Sequence, residues 1–199
     1  MDMMQPTGFG SSRRPPPREP LGASAQRSHA ACERVAARDG SEFVLRRIDA
    51  GDVAALQRGF SRLTPEEVRL RFQHPLNELP RDLAVRLCDL DPRYAVAWVL
   101  ANADDAPSPE IHAVARVHVD PVTYEAEFAL VVQQRIAGQG FGHMLLKRAI
   151  DSARELGAVE VWGDILLENS TMLSICDDLG FARSTVAHHP GVQRVRLAL

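Results

Sequence analysis

Cysteine is scarce in this chain of 199 residues, and its spacing matches no ligand or redox motif. The three cysteines, Cys32, Cys88 and Cys176, include no CxxC pair. This count gives no disulfide framework and no zinc ribbon, and it is typical of reduced thiols in a cytoplasm. The seven histidines form no HxxxH or HExxH pattern. We therefore expect no metal site.

Long apolar runs are also missing. No segment approaches the roughly 20 apolar residues of a membrane-spanning helix, and the N-terminus lacks a basic segment followed by an apolar one. The net charge of −3 argues against nucleic acid or an anionic membrane as the main partner. We expect a cytoplasmic protein, either a monomer or a homodimer.

Residues 1–40 differ in composition from the rest. They are rich in proline, glycine, serine and arginine and hold few apolar side chains, so burial there cannot offset the entropy of ordering. We predict a disordered tail over 1–40 and one domain over 41–199. Arg13, Arg14 and Arg18 fit either a solvated tail or contact with an acidic partner.

Regular patterns begin at Phe43. Thr64-Pro65-Glu66-Glu67 has the N-cap, first-turn proline and capping-box glutamate of a helix start. The predicted strands are 43–48, 94–101, 112–119, 127–132, 159–165, 181–187 and 192–199, with turns at 104–108 and 120–121. The predicted helices are 51–60, 82–90 and 170–179, one that starts at Thr64, and one that includes Leu145–Leu156 and stops at Gly157. This order predicts an α/β fold with a single mixed, mostly antiparallel sheet of six to seven strands flanked by helices.

A glycine-rich turn joins a predicted strand to the longest predicted helix. Gly138-Gln139-Gly140-Phe141-Gly142 lets the backbone turn tightly and approach a ligand. The free N–H groups and the dipole at the helix start favour an anion such as a diphosphate. A plain connecting turn is the alternative. The P-loop string GxxxxGK[ST] is absent, and His143 stands where a dinucleotide fingerprint needs a third small residue.

These residues resemble the acetyl-CoA signature of the GNAT acetyltransferase superfamily, [Q/R]xxGx[G/A]. In that comparison Gly140 and Gly142 take the glycine positions, and Ala137 departs from the expected Gln or Arg. Glu168–Leu173, followed by Leu179-Gly180-Phe181, resembles the asparagine-initiated helix of the family, which closes with LGF. The likeness spans about Phe43 to Leu199.

A narrower resemblance is to the catalytic domain of bacterial Pat-type protein lysine acetyltransferases. Ser61–Glu66, Leu70-Arg71-Phe72 and Ala126–Val132 carry it. It implies transfer of acetyl from acetyl-CoA to a primary amine, protein lysine first, by direct attack. A small-molecule amine acceptor and a non-catalytic acyl-CoA-binding sensor are the alternatives.

The resemblance also implies roles for particular residues. The backbone of Leu130, Val131 and Val132 would bind the acetyl carbonyl and pantetheine. The turn would bind the pyrophosphate through Gly138, Gln139, Gly140, Phe141, Gly142 and His143, and Asn169 would bind the pantetheine arm.

For the catalytic base, the resemblance favours Glu127, with Glu125 as the second candidate on the same strand face. Partial burial would raise the pKa of Glu127 toward the working pH. A solvated strand carboxylate is the alternative for both. Cys176 stands where many family members have a tyrosine acid, and it fits a buried core thiol better than a proton donor.

Overall fold

The computed structural model describes residues 32–102 and 110–199. The helices are α1 (Val53–Phe60), α2 (Pro65–Phe72), α3 (Arg81–Cys88), α4 (Phe141–Glu155) and α5 (Ser170–Asp178). The strands are β1 (Glu33–Ala36), β2 (Glu42–Arg47), β3 (Ala95–Asn102), β4 (Ile111–Val119), β5 (Glu125–Val132), β6 (Glu160–Leu166), β7 (Ala182–Thr185) and β8 (Val192–Ala198).

All eight strands form one sheet in the order β1-β2-β3-β4-β5-β6-β8-β7. Every neighbouring pair in this sheet is antiparallel except β5 and β6. The predicted α/β class and mostly antiparallel sheet are therefore confirmed. None of the described helices is long and apolar enough to cross a membrane.

The strand count exceeds the prediction because β1 lies inside the segment that was predicted to be a disordered tail. β1 pairs with β2 from Glu33↔Leu45 to Ala36↔Glu42. Val35 packs on the core, and Arg148 of α4 donates to the Glu33 carboxylate. The tail prediction is thus wrong for Glu33–Ala36. Its residues 1–31, and the turn predicted at 104–108, lie outside the described residues.

Two apolar layers cover the sheet. On one face α4 packs against β3, β4 and β5 through side chains spaced three or four apart, which are almost fully buried: Leu145, Leu146, Ala149, Ile150 and Ala153. On the other face α1 and α3 cover Val99 and Val114. Gly59 of α1 lies so close to β4 that a Cβ there would be 2.4 Å from the Ile111 carbonyl oxygen.

The sheet opens between β5 and β6. These strands pair in parallel only over Glu125–Glu127 and Glu160–Trp162, and beyond that point they separate. β5 stays paired with β4 as far as Ala113↔Val132. The result is a V-shaped gap in the middle of the sheet.

Candidate active site

The glycine-rich turn lies at the wide end of this gap. Gly138 and Gly140 have φ of +74° and +88°, a region that side-chain-bearing residues adopt only at a cost. Gly140 is the N-cap of α4, which begins at Phe141. The first-turn N–H groups therefore face the gap with no side-chain cap on them. This arrangement suits a bound diphosphate.

The glycines that form the turn are not the pair that the sequence analysis matched to the signature. Gly142 lies inside α4, and a Cβ there would be 3.0 Å from Ile175 Cδ1, so its role is the close approach of α4 to α5. The two glycines of the turn are Gly138 and Gly140. Counted from these two glycines, the signature [Q/R]xxGx[G/A] is matched at every fixed position by Arg135-Ile136-Ala137-Gly138-Gln139-Gly140. The departure assigned to Ala137 disappears, because Ala137 falls on an unrestricted position.

A cleft of about 590 Å³ runs from the turn into the gap. It brings together almost all the residues that were predicted to bind the cofactor: Leu130, Val131, Val132, Gly138, Gly140, Phe141, Gly142, His143 and Asn169. Gln139 is the exception: it does not line the cleft, and its side-chain oxygen accepts a 2.9 Å hydrogen bond from the N–H of Arg38, which does.

Free backbone groups of β5 line the gap. The Gln133 N–H donates to the His112 carbonyl, and the Asp120 N–H donates to the Glu125 carbonyl. By the alternation of an antiparallel ladder, odd-numbered residues of β5 bond to β4 and even-numbered residues point the other way. The N–H groups of Leu130 and Val132 therefore face the gap, where β6 has moved away, whereas Val131 bonds to β4. Such groups can hold a carbonyl oxygen that gains negative charge.

Asn169 begins α5 on the opposite wall. Its side-chain oxygen accepts a 3.1 Å hydrogen bond from the Met172 N–H and so caps the helix. The side-chain amide nitrogen is the part of Asn169 that can donate to a ligand in the cleft.

Helix α2 crosses the gap and is tied to both sides of it. Glu67 closes the predicted capping box with Thr64, and its Oε1 also accepts a 2.6 Å bond from the Gln134 N–H after β5. On the other side Arg69 donates to Glu168, and Gln73 Nε2 donates to the Asp164 carbonyl at 2.8 Å. The position of α2 therefore depends on both walls of the cleft.

A polar groove of about 280 Å³ lies on the far side of α2. Glu127 lines it and is exposed, and Glu125 two residues earlier is half-buried. The burial expected for Glu127 is not found, because α2 ends at Phe72 and no described helix covers this part of β5. Asp164 also lines the groove, but Arg194 holds it with bonds of 2.7 and 2.5 Å. Glu127 forms no ion pair with any residue that the structure describes.

Cys176 is fully buried in the core on α5. Burial raises the pKa of its thiol to about 12. This environment is that of a structural thiol, and Cys176 lines none of the cleft described above.

The sequence analysis missed a buried polar network beside the turn. Gln133 is 3% exposed, and its amide donates 3.0 Å to the Gly59 carbonyl while its oxygen accepts 2.7 Å from Arg135 Nε. Arg135 also donates to Glu110 and to His112 Nδ1, and burial lowers the pKa of His112. The signal in the sequence was Arg135 itself, the first residue of the signature in its correct position. Among the described residues, no group of histidine, cysteine and carboxylate side chains is arranged to hold a metal ion.

Comparison with known sequences matches this chain to acetyltransferases. Residues 60–181 match the model of the acetyltransferase (GNAT) family. An acetyltransferase of Pseudomonas aeruginosa is 24% identical over 143 residues, which cover 72% of this chain and 76% of that protein.

Solved structures share the fold. The GNAT domain of S. lividans PAT has a TM-score of 0.73 at 24% identity and covers 84% of this chain and 97% of that domain. Spermidine N-acetyltransferase from Vibrio cholerae, solved with CoA and spermine, has a TM-score of 0.61 at 15% identity, covering 78% of this chain and 95% of that one.

Proposed function

The chain belongs to the acetyltransferase (GNAT) family, and from this premise we propose that it acetylates the side-chain amine of protein lysines, with acetyl-CoA as donor. The observation that carries this proposal is the continuity of two spaces. Leu70, Arg71, Leu130, Asn169 and Met172 line both the cofactor cleft and the groove that holds Glu127. A thioester in the gap would therefore lie within reach of an amine in the groove.

The reaction follows from the groups at this junction. The pyrophosphate binds at Gly138–His143, and pantetheine runs along Leu130–Val132 toward the groove. The amine attacks the thioester carbonyl, whose oxygen accepts from the inward N–H groups of β5. Glu127 takes the proton of the amine directly or through one water, and coenzyme A leaves as its thiolate. Because Cys176 is buried away from the cleft, the mechanism uses no thiol acid.

A macromolecular acceptor is supported by the openness of the groove. Glu127 is exposed beside the C-terminal end of α2, so a lysine on another protein's surface can reach it. The sequence resemblance to Pat-type protein lysine acetyltransferases, carried by Ser61–Glu66, Leu70-Arg71-Phe72 and Ala126–Val132, supports the same acceptor class. A small polyamine is the second candidate, since the spermidine acetyltransferase of Vibrio cholerae has the same fold.

The test is release of coenzyme A from acetyl-CoA in the presence of lysine peptides or of spermine. We expect Glu127→Gln to lower kcat by about 10²- to 10⁴-fold, the usual contribution of a general base, while acetyl-CoA binding in calorimetry is unchanged. Glu125→Gln is the matched control and should keep most of the activity. The opposite result for these two variants would make Glu125 the base.

The acceptor class needs its own measurement. Mass spectrometry of lysine acetylation in cells with and without the gene should show sites that disappear with it. Turnover of spermine with an unchanged lysine acetylation profile would move the proposal to small amines. Tight acetyl-CoA binding without turnover on any acceptor would indicate a sensor.

A further inference from the structure

Two arginines between α2 and the sheet form no ion pair with a described carboxylate, although the more distant charge of Glu127 acts on one of them. Arg71 lies on α2 and Arg116 on β4, and both are shielded from much of the solvent. Neither forms an ion pair with any carboxylate in residues 32–102 and 110–199. Arg38, Arg81 and Arg86, which also form no ion pair with a described carboxylate, are exposed, so this location is distinctive.

Both side chains line one small cavity of about 50 Å³. Its remaining wall is mostly apolar and comes from α1, α2, α3, β4 and β5, including Leu56, Phe60, Phe72, Leu87, Val114 and Val131. Arg71 also lines the cofactor cleft and the groove of Glu127, and Val131 also lines the cleft. The cavity therefore adjoins the place where the thioester would meet the acceptor.

The groups around the two guanidiniums stabilise them only weakly. Arg116 donates to the Leu87 carbonyl at 3.3 Å, and Arg71 lies over the Phe72 ring with its Cζ 4.8 Å from the ring centre. Burial, and next the charge of Arg71, lowers the pKa of Arg116 to about 10. Burial likewise lowers the pKa of Arg71, against the opposing charge of Glu127. Two like charges in an apolar wall are unfavourable unless an anion joins them.

Space for that anion is present in the cavity. The residues opposite Arg116 on the neighbouring strands are Ala97 and Ala129, whose small side chains do not line it. At roughly 10–15 Å³ for each water-sized group, the cavity holds about four such groups. This is the size of a carboxylate on one or two carbons.

We propose that Arg71 and Arg116 form a carboxylate-binding pocket next to the acyl-transfer centre, an inference that rests on the proposed function of the site. Arginine binds carboxylates with two parallel N–H bonds, and the apolar wall excludes competing water. Two substrates can supply the carboxylate: an amine acceptor with a free carboxylate, or a dicarboxylic acyl group such as succinyl. In both cases the amine nitrogen bonds to the thioester carbon, the C–S bond breaks, Glu127 receives the amine proton and coenzyme A leaves.

Two matched substrate pairs distinguish these sources. With acetyl-CoA, lysine is compared with cadaverine, which lacks only the carboxylate. With one fixed acceptor, succinyl-CoA is compared with butyryl-CoA, which has the same number of acyl carbons. In at least one of the two pairs, we expect kcat/KM for the substrate with the carboxylate to be about tenfold higher or more than for its partner. A tenfold difference corresponds to the free energy of one charge-assisted contact.

The same ratios in variants test the arginines. Arg116→Met should remove the preference and raise Tm, because it removes an unpaired buried charge, whereas the exposed Arg81→Met should change neither. Because each ratio is taken within one variant, a general loss of activity cancels. If wild type turns over amines without preference in either pair, the carboxylate pocket is refuted and the proposed function stands.

Binding is measured separately from turnover. The Tm of the wild-type chain is recorded with succinyl-CoA against butyryl-CoA, and with lysine against cadaverine in the presence of CoA. A larger rise with the carboxylate partner, lost in Arg116→Met, supports the pocket even if no amine is acetylated. Equal rises without turnover refute both the pocket and the proposed function.

Discussion

At the scale of single residues, Gly140 and Gly138 are the glycines of the turn with positive φ, and we expect cofactor binding to depend on them. Both have positive φ, and the space around each would admit a Cβ, so the penalty for a side chain is conformational and not steric. Gly140→Ala should destabilise the fold by about 1–2 kcal/mol and weaken acetyl-CoA binding, because the turn relaxes. Urea unfolding and calorimetry measure the two effects.

Gly191 offers the matched control. It also has open space around it, but its φ is not in the left-handed region. Gly191→Ala should therefore leave both acetyl-CoA affinity and stability close to wild type. Equal affinity of the Gly140→Ala variant and wild type would contradict the assignment of the turn.

His112 makes stability depend on pH. Its Nδ1 accepts from Arg135, and the remaining ring N–H at Nε2 donates to Asn102 Oδ1, so the folded state favours the neutral ring. Burial first, and then the charges of Arg135 and Arg62, lower its pKa, partly opposed by the hydrogen bond to Gln133 and the charge of Glu110. As pH falls, His112 is therefore protonated in the unfolded chain at a higher pH than in the folded chain. The stabilisation that the neutral ring contributes is complete above about pH 6.5 and is lost as pH falls below that value.

The measurement is the free energy of unfolding between pH 5 and 8. Wild type should lose stability over the acidic part of this range more steeply than His112→Gln, which has no ring to protonate. Parallel curves for the two proteins would show that His112 does not contribute. The sequence alone offered no reason to select this histidine, because its burial depends on Phe43, Asn102 and Arg135, which are distant in the chain.

At the scale of elements, one carboxylate ties α2 to the backbone that follows β5, and through it we propose that α2 is coupled to cofactor binding. Glu67 Oε2 accepts from the Thr64 N–H at 2.6 Å, and Oε1 accepts from the Gln134 N–H at 2.6 Å. Glu67→Ala removes both bonds. We expect a loss of about 0.5–2 kcal/mol in stability from the missing cap and a weaker affinity for acetyl-CoA.

Thr64→Ala separates these two effects. It removes the bond from the Glu67 N–H to Thr64 Oγ1 but leaves the Glu67 carboxylate in place. Its stability should fall by a similar amount while acetyl-CoA affinity stays near wild type. Loss of affinity in both variants would show that α2 acts only through its own folding.

The capping box of α2 illustrates what local sequence can predict. Thr64, Pro65 and Glu67 lie within four residues, and each acts on backbone groups of the same turn. The second bond of Glu67, to Gln134, joins residues 67 positions apart and has no local signature. The same holds for the unpaired state of Arg71 and Arg116, which depends on where other carboxylates lie.

At the scale of the whole molecule, removal of β1 tests where the folded unit begins. A chain that starts at Ser41, the predicted domain boundary, lacks β1 and loses the packing of Val35 and the buried Ala37. Compared with a chain that starts at Cys32, it should unfold at a lower urea concentration. The free energy of unfolding should be smaller by about 1–2 kcal/mol, for the loss of two packed apolar side chains. Identical midpoints for these two chains would show that β1 adds no stability.

The sequence by itself determined the order of helices and strands from β2 onward, the glycine-rich turn and the family signature, because periodicity, caps and glycines act over a few residues. The assignment of Gly138 and Gly140 to the turn came from the structure, through their φ angles and the place of Gly142 inside α4. The gap between β5 and β6, the exposure of Glu127 and the junction at Arg71 were decided by tertiary structure. Each depends on where strands part and which helix covers them, and those are contacts between residues far apart in the chain.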